Sequence, residues 1–384
     1  VKILVFSTTS GIGDMIMTVP MIRLLRRRIS DSQIVLGVLS EGARRLFEIC
    51  PYVDEIRKVE TDGPIFPDMV LRNIRLLLTM MRNYKFDICI STSVSYASFY
   101  MGIDNIIARF MKAKRRIGYL LPASGALLWR ALGFSFLLHE RLRVDPAKHH
   151  VLQNIELLKF IGVELNGEKP ELELWLTEED ERMADQFLRD HGIKPSDRVI
   201  GVHPGGNIWM MKRWPADRFA KLMDRIEEEY PGTKILIFGG SEEEGLKRKV
   251  AEKAKVDPIP VETMPIRATA ALIKRCDLFV ANDSAPMHIA AAVKTPVVGI
   301  FGPTNPDATG PFSRQSAVVS LGLKCQPCYN RVGFFPNMSC RSKLKYACLR
   351  RLPVSKVFET VRGMPFAKGE RMKDGEVCGD RLKA

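Results

Sequence analysis

The sequence predicts an α/β protein built on two parallel sheets, and three observations predict it. Short apolar, β-branched runs alternate with longer segments of helical periodicity, that alternation starts twice along the 384 residues, and a polar stretch separates the two series. An apolar fraction of 46% against 27% charged residues excludes disorder as the default state, and the length suffices for two domains.

The first series begins with "KILVF" (2–6), continues into the helix-like "MIMTVPMIRLLRRRI" (15–29) and the strand-like "QIVLGVL" (33–39), and after "LRNIRLLLTMMRNY" (71–84) reaches "FDICIST" (86–92). The second runs "DRVIGVH", "PADRFAKLMDRIEEEY", "TKILIFGG", "EEEGLKRKVAEKA", "CDLFVAND", "SAPMHIAAAV" and "PVVGIFG", between residues 197 and 302. Between them, "GVELNGEKPELELWLTEEDERM" is polar and contains Pro170, which sets the expected boundary at 170. The domains are therefore expected over 1–170 and 171–362, with a charged, aperiodic tail over 363–384. Open parallel sheets bind ligands at the carboxyl ends of their strands, so chemistry is sought there.

The first such end is "STTSGIGDMIMTVP", residues 7–20. Gly11 and Gly13 suggest a phosphate loop, but Ile16 stands where a dinucleotide fingerprint needs a third small residue. Asp14, at the helix start, would repel a pyrophosphate on the same amides. It reads either as a carboxylate complementing the helix dipole or as a general base. Glu41, after the second strand, could bind a ribose and keeps an NAD(P)-dependent oxidoreductase as an alternative.

In the second series "VIGVHPGGNIWMMKRWP" follows a strand with Gly205 and Gly206 and then supplies Lys212 and Arg213, a set of exposed amides and cations fit for a diphosphate. Read without a ligand, the stretch is a solvated basic turn. "FVANDSAPMHIAAAV" ends a strand in Asn282, Asp283 and Ser284, any of which could cap the next helix. Ala285 and Pro286 open that helix and His288 lies one turn in. "FGGSEEEG" puts Glu242, Glu243 and Glu244 at a helix start, where they suit its dipole and where one could accept from a ribose diol.

These motifs in this order resemble glycosyltransferase family 9, the heptosyltransferases of the lipopolysaccharide inner core. The resemblance rests on "GIGDMIMTVP", on "HPGG" followed by "KRWP", on "FGGSEEE", and above all on "NDSAPMHIAAAVKTPVVGIFGPTNP" with "TGP" after it, and spans residues 1 to about 362. It implies a GT-B fold, two Rossmann-like domains facing across a cleft, and an inverting, metal-independent transfer without cofactor. It implies Asp14 as catalytic base toward the acceptor hydroxyl, and a donor site of Lys212, Arg213, Glu243, Asn282, Asp283, Ser284, Ala285 and His288. The donor expected on this resemblance is ADP-heptose and the acceptor a lipid-linked anionic saccharide, with transfer of a different sugar by a member of the same family as the alternative. Ala285 departs from the glycine usual in "NDSG" but remains small. No Asp-x-Asp motif is present to hold a divalent ion beside a diphosphate.

The net charge of +14 is uneven: from Arg341 to Ala384 twelve Lys or Arg stand against five Asp or Glu. Such a surface suits anionic partners. No aromatic-rich basic strand or helix-turn-helix pattern supports nucleic acid. Arg109, Lys112, Lys114, Arg115 and Arg116 with the tail are expected to draw the protein to an anionic inner-membrane surface. The chain enters directly into a strand-like run, so a cytoplasmic protein is expected. The apolar stretch 120–138 is interrupted by Pro122, Gly125 and Arg130, too poor for a spanning helix, and reads as either a core or an interfacial helix. Cys325, Cys328, Cys340 and Cys348 resemble a zinc site only loosely, and free thiols are the expectation.

Overall fold

The computed structural model describes residues 1–7, 11–38, 40–58, 85–92, 108–109, 113–120, 135–206, 210–328, 340 and 342–365. The chain forms two compact units, Val1–Pro170 with Asn330–Asn337, and Glu171–Tyr329 with Met338–Ala384. The helix-like run 71–84, most of 120–138, Lys112 and the tail from 366 onward lie outside the described residues.

The first unit holds six strands: β1 (Lys2–Phe6), β2 (Gln33–Val38), β3 (Glu55–Lys58), β4 (Ile88–Ser91), β5 (Arg115–Leu120) and β6 (Glu140–Arg143), in the spatial order β3-β2-β1-β4-β5-β6. Every pairing is parallel, with Val5 of β1 flanked by Leu36 and Ile90. Ile3, Val5, Leu36 and Ile90 are fully buried, as strands covered on both faces require.

The second unit repeats the plan with β7 (Val199–His203), β8 (Lys234–Ile237), β9 (Ile259–Pro260), β10 (Leu278–Asn282), β11 (Val297–Phe301) and β12 (Ser316–Ser320), ordered β12-β11-β10-β7-β8-β9. Read outward from β7, that is the order of the first unit. In both sheets the strand order reverses between the first and fourth strands of the unit, a switch point of the kind at whose carboxyl ends open parallel sheets bind ligands. The elements fixing that point in the second unit are β7 and β10, paired with Val202 beside Val280 and His203 beside Ala281.

Two local readings are corrected. The run from Met15 to Ile29 is two helices, Ile12–Ile16 and Val19–Arg28, because Pro20 lacks an N–H and its ring crowds the carbonyl one turn back. Thr18 Oγ1 donates to Met15 O at 2.6 Å at the break. The polar stretch after Pro170 also contains the start of a helix, Glu178–Asp190, opened by a capping box in which Thr177 and Asp180 satisfy each other's backbone amides. Asp180 also accepts from Arg267 at 3.0 Å, and Arg275 pairs with Asp185 at 2.8 Å, tying that helix to Ile266–Lys274.

Candidate functional site

The carboxyl ends of β7 and β10 carry a closed set of side chains. Asn282, fully buried at the end of β10, donates through Nδ2 to Pro204 O and Gly205 O, both at 2.8 Å, and accepts through Oδ1 from Trp214 N at 3.1 Å. One amide therefore ties the Pro-Gly-Gly loop to the Lys212–Arg213–Trp214 segment. Trp214 is itself anchored: it is 1% exposed, meets Phe219 edge-on at 5.1 Å, and donates through Nε1 to Leu352 O at 3.1 Å. It is a structural anchor for the two cations before it, beyond starting the next helix.

Glu243 locks the loop from the other side. It lies in the short 3₁₀ turn Ser241–Glu243 after β8, its Oε1 accepting from Gly206 N at 2.9 Å and its Oε2 facing His203 Nε2 at 3.1 Å and Gly240 N at 3.3 Å. A Cβ on Gly205 would overlap this carboxylate, and Gly206 has φ +152°, a conformation only glycine adopts readily. Arg213 donates through Nε and Nη2 to Gly206 O at 3.0 and 2.8 Å and stands 3.6 Å from Glu243 Oε1. Among the three acids, Glu243 is thus the one turned inward onto protein donors. Glu242 is exposed, and Glu244 is exposed but pairs with Lys247 at 2.7 Å.

Burial alone would raise the Glu243 carboxyl, but His203 and the Gly206 and Gly240 amides outweigh it and lower it to about 2. A depressed folded value makes its contribution fully present above the unfolded value and lost as pH falls toward the folded one. Wild type should therefore exceed Glu243→Gln in stability by about 2 kcal/mol above pH ~4.5, allowing for screening, with the gap closing toward pH ~2. Thermal melts of both proteins across that window measure it; a gap independent of pH would contradict it.

Lys212 Nζ stands 2.8 Å from Asp283 Oδ2, an ion pair off the ideal hydrogen-bond direction. Asp283 is 5% exposed; burial pushes its carboxyl up, and Lys212, with Thr304 and His288, brings it below the usual range. Ser284 is the N-cap residue of the helix Ala285–Ala292, yet its side chain makes no capping bond. Capping by Ser284 is corrected: its Oγ lies 3.0 Å from His203 Nδ1 and 3.0 Å from Asn282 O. Pro286 occupies the first turn and His288 is buried at 4% exposure. The site so assembled presents a lysine, a hydroxyl and the positive end of the helix Ala285–Ala292 at one strand end, a set that can receive an anion, although Pro286 has no N–H and Met287 N already donates to Ser284 O at 3.1 Å.

The first unit presents the opposite sign. Gly11 caps the helix Ile12–Ile16 with φ −74°, ψ 118°, and a Cβ there would meet Asp14 Oδ2 at 2.7 Å. Gly11 thus makes room for the carboxylate folding back over the helix start, while Gly13 is buried. The far end of this turn is held by Asn154, which donates to Met17 O at 3.3 Å and accepts from the buried Tyr119 hydroxyl at 2.7 Å. Glu41 is taken up by Arg44 at 2.7 Å, Arg45 at 3.1 Å and Lys58 at 3.4 Å, and the first of these with Arg45 holds its carboxyl at about 2. An acid already shared by three cations is a poor partner for a ribose.

Of the basic cluster, Arg115 pairs with Glu140 at 2.7 Å and Arg116 donates to Leu137 O and Ala113 O, so both turn onto the protein. Arg109 is exposed, and Lys114 is exposed while paired with Asp87 at 2.8 Å. Cys348 is buried, and burial followed by the neighbouring Cys328, Cys340 and Cys325 pushes its thiol up to about 11. Among the described residues no three His, Cys, Asp or Glu side chains converge on a metal-sized position, and no helix is long and apolar enough to cross a membrane.

A family model described as glycosyltransferase family 9 (heptosyltransferase) matches residues 64–338. The chain is 26% identical over 304 residues to lipopolysaccharide heptosyltransferase 3 of Escherichia coli (strain K12), covering 76% of this chain and 80% of that protein. It is 34% identical over 176 residues to lipooligosaccharide heptosyltransferase 2 of Campylobacter jejuni subsp. jejuni serotype O:6, covering 44% of this chain and 52% of that one. The match therefore spans about half the length of the Campylobacter relative. Among solved structures, glycosyl transferase family 9 from Veillonella parvula DSM 2008 superposes with a TM-score of 0.68 at 26% identity, over 83% of this chain and 85% of that one. E. coli ADP-heptose lps heptosyltransferase II gives 0.66 at 19% identity over 94% and 98%, a likeness of fold.

Proposed function

The chain belongs to glycosyltransferase family 9, and from that membership we propose that it is an inverting glycosyltransferase moving heptose from ADP-heptose to a lipopolysaccharide inner-core acceptor. The observation that carries the reading is the sign difference between the two strand-end sites. The second unit gathers Lys212, Ser284 and the positive end of the helix Ala285–Ala292 where a diphosphate can leave; the first holds a carboxylate, Asp14, where a phosphate is unwelcome. Asp14 takes the proton of the acceptor hydroxyl, the oxygen attacks the anomeric carbon, and the nucleoside diphosphate departs from the opposite side. Lys212 and the positive end of the helix stabilise the charge that develops on the leaving oxygen. Asn282, Glu243 and Arg213 keep the Pro-Gly-Gly loop in the shape that leaves Lys212 in place, with Gly205 and Gly206 allowing close approach. Ala285 keeps the helix start clear of any side chain beyond a methyl, and His288 adds to the field on Asp283.

Incubation with a panel of nucleotide sugars and a truncated lipopolysaccharide acceptor tests this directly. ADP-heptose should add the mass of one heptose to the acceptor, and ADP should raise the melting temperature while NADH does not. Absence of mass gain with every donor rejects the reading. Recruitment to the cytoplasmic face of the inner membrane through Arg109, Lys114 and the charged tail belongs to the same proposal. Binding to vesicles of anionic lipid should then fall steeply between low and high salt, and salt-independent binding would argue against it.

A further inference from the structure

Tyr119 and Asn154 are 1% and 2% exposed, both lie in the first unit, and neither has a part in the transfer described above. Tyr119 is the next-to-last residue of β5, and its hydroxyl donates to Asn154 Oδ1 at 2.7 Å. Asn154 belongs to the helix His150–Glu156, which packs on Val19–Arg28, and its Nδ2 donates to Met17 O at 3.3 Å. Met17 is the C-cap residue of Ile12–Ile16, the helix that carries Asp14.

The direction of each bond is fixed by what the partners can do. Met17 O only accepts, so the asparagine offers its NH2 there and turns its carbonyl oxygen to Tyr119. The phenol is then the donor, and it stays one: burial first, then the Glu156 carboxylate, push its pKa well above the usual phenol value. With the amide turned over, oxygen would face oxygen at Met17. The Tyr119 hydroxyl therefore selects the one orientation of Asn154 in which both bonds form.

The helix that receives this support is short. Its five residues fall below the length at which a helix sustains itself, its N-cap Gly11 has no side chain to cap with, and Pro20 brings no N–H back to the carbonyls of the turn. Burial of Met15 and Ile16 anchors one face, but apolar burial is non-directional, whereas a hydrogen bond at the closing carbonyl sets the rotation of the turn.

We propose that Tyr119 and Asn154 are positioning residues for Asp14: through Met17 O they fix the rotation of the short helix, and with it the point from which the carboxylate takes the acceptor's proton. The inference rests on Asp14 being the base of the proposed function. A base works only within hydrogen-bond reach of its proton, and a displacement of about 1 Å imposed from a distance can cost about 10²-fold in rate. The residues assigned to the nucleotide belong to the other unit and have no share in this chain of bonds.

The test is a double-mutant cycle with Asp14, reading kcat with ADP-heptose and a truncated acceptor beside Kd for ADP. Tyr119→Phe removes only the hydroxyl and should lower kcat by about tenfold with Kd for ADP unchanged. In an Asp14→Asn background the same change should cost nothing further, because the group it positions is gone. A residue that serves the fold alone would slow both backgrounds by the same factor; that result, or a Tyr119→Phe kcat equal to wild type, overturns the inference and leaves Asp14 as the base. Should Tyr119→Phe fail to fold, Tyr119→Phe combined with Asn154→Leu replaces both partners by apolar groups of similar shape and is read in the same cycle. Full activity in Asp14→Asn, or no transfer by the wild-type chain, overturns the proposed function and the inference with it.

Discussion

Asp14→Asn should lower turnover by about 10² to 10⁴-fold while leaving the affinity for ADP unchanged. Asparagine keeps the size and polarity of the side chain at the third position of the helix Ile12–Ile16 but cannot accept the acceptor's proton. The residues assigned to the nucleotide belong to the other unit, and that separation makes the expected result specific. Rate and ADP affinity should come apart completely. The measurement is kcat with a truncated acceptor beside ADP titration of the same preparation. Full activity in the variant would remove Asp14 from the mechanism, and a parallel loss of ADP affinity would place the nucleotide on the first unit instead.

Lys212→Ala should weaken ADP binding and turnover together, by tenfold or more each, since the cation faces a charge that is present in the bound donor and grows as it leaves. A second effect follows from its ion pair. Asp283 is buried, and without Lys212 it keeps a carboxylate with its principal cation gone, at a cost of about 1 to 3 kcal/mol in stability. Lys212→Ala combined with Asp283→Asn separates the two effects. The double variant should recover stability in a thermal melt and still bind ADP weakly. If affinity returns with stability, Lys212 serves the fold alone.

The strands at the centre of each sheet were legible in the sequence, because a strand covered on both faces needs an unbroken apolar run. "KILVF", "QIVLGV" and "LFVAN" have no other reading. The edge strands were not. β3 is "EIRK", β6 is "ERLR" and β9 is two residues long, so they carry no unbroken apolar run and leave little mark on composition. β5, "RRIGYL", is interior, but its leading arginines, one pairing with Glu140 and one donating to carbonyls, hide the short apolar run.

The same physics divides the site. That Lys212 and the Asn282–Ser284 run sit at strand ends could be read from the apolar runs preceding them. Which member of the Glu242–Glu244 run turns inward could not, because a single 3₁₀ turn sends each acid in a different direction. His203 carried a signal that went unused: a histidine as the last residue of a wholly buried strand needs partners for both ring nitrogens, and the polar residues to supply them lie at the neighbouring strand ends. The hold of Asn154 and Tyr119 on the Asp14 turn had no local signal at all, since it joins residues far apart in sequence.

Leu352 O accepts from both Trp214 Nε1 and Arg218, so the backing of the Lys212–Arg213 segment is supplied by a residue 138 positions beyond Trp214. During synthesis the Lys212–Arg213 segment consequently lacks this backing until position 352 has cleared the ribosome, although every strand of both sheets has been made by then. A premature stop just short of that point yields a chain with its full set of strands and an unsupported cation segment.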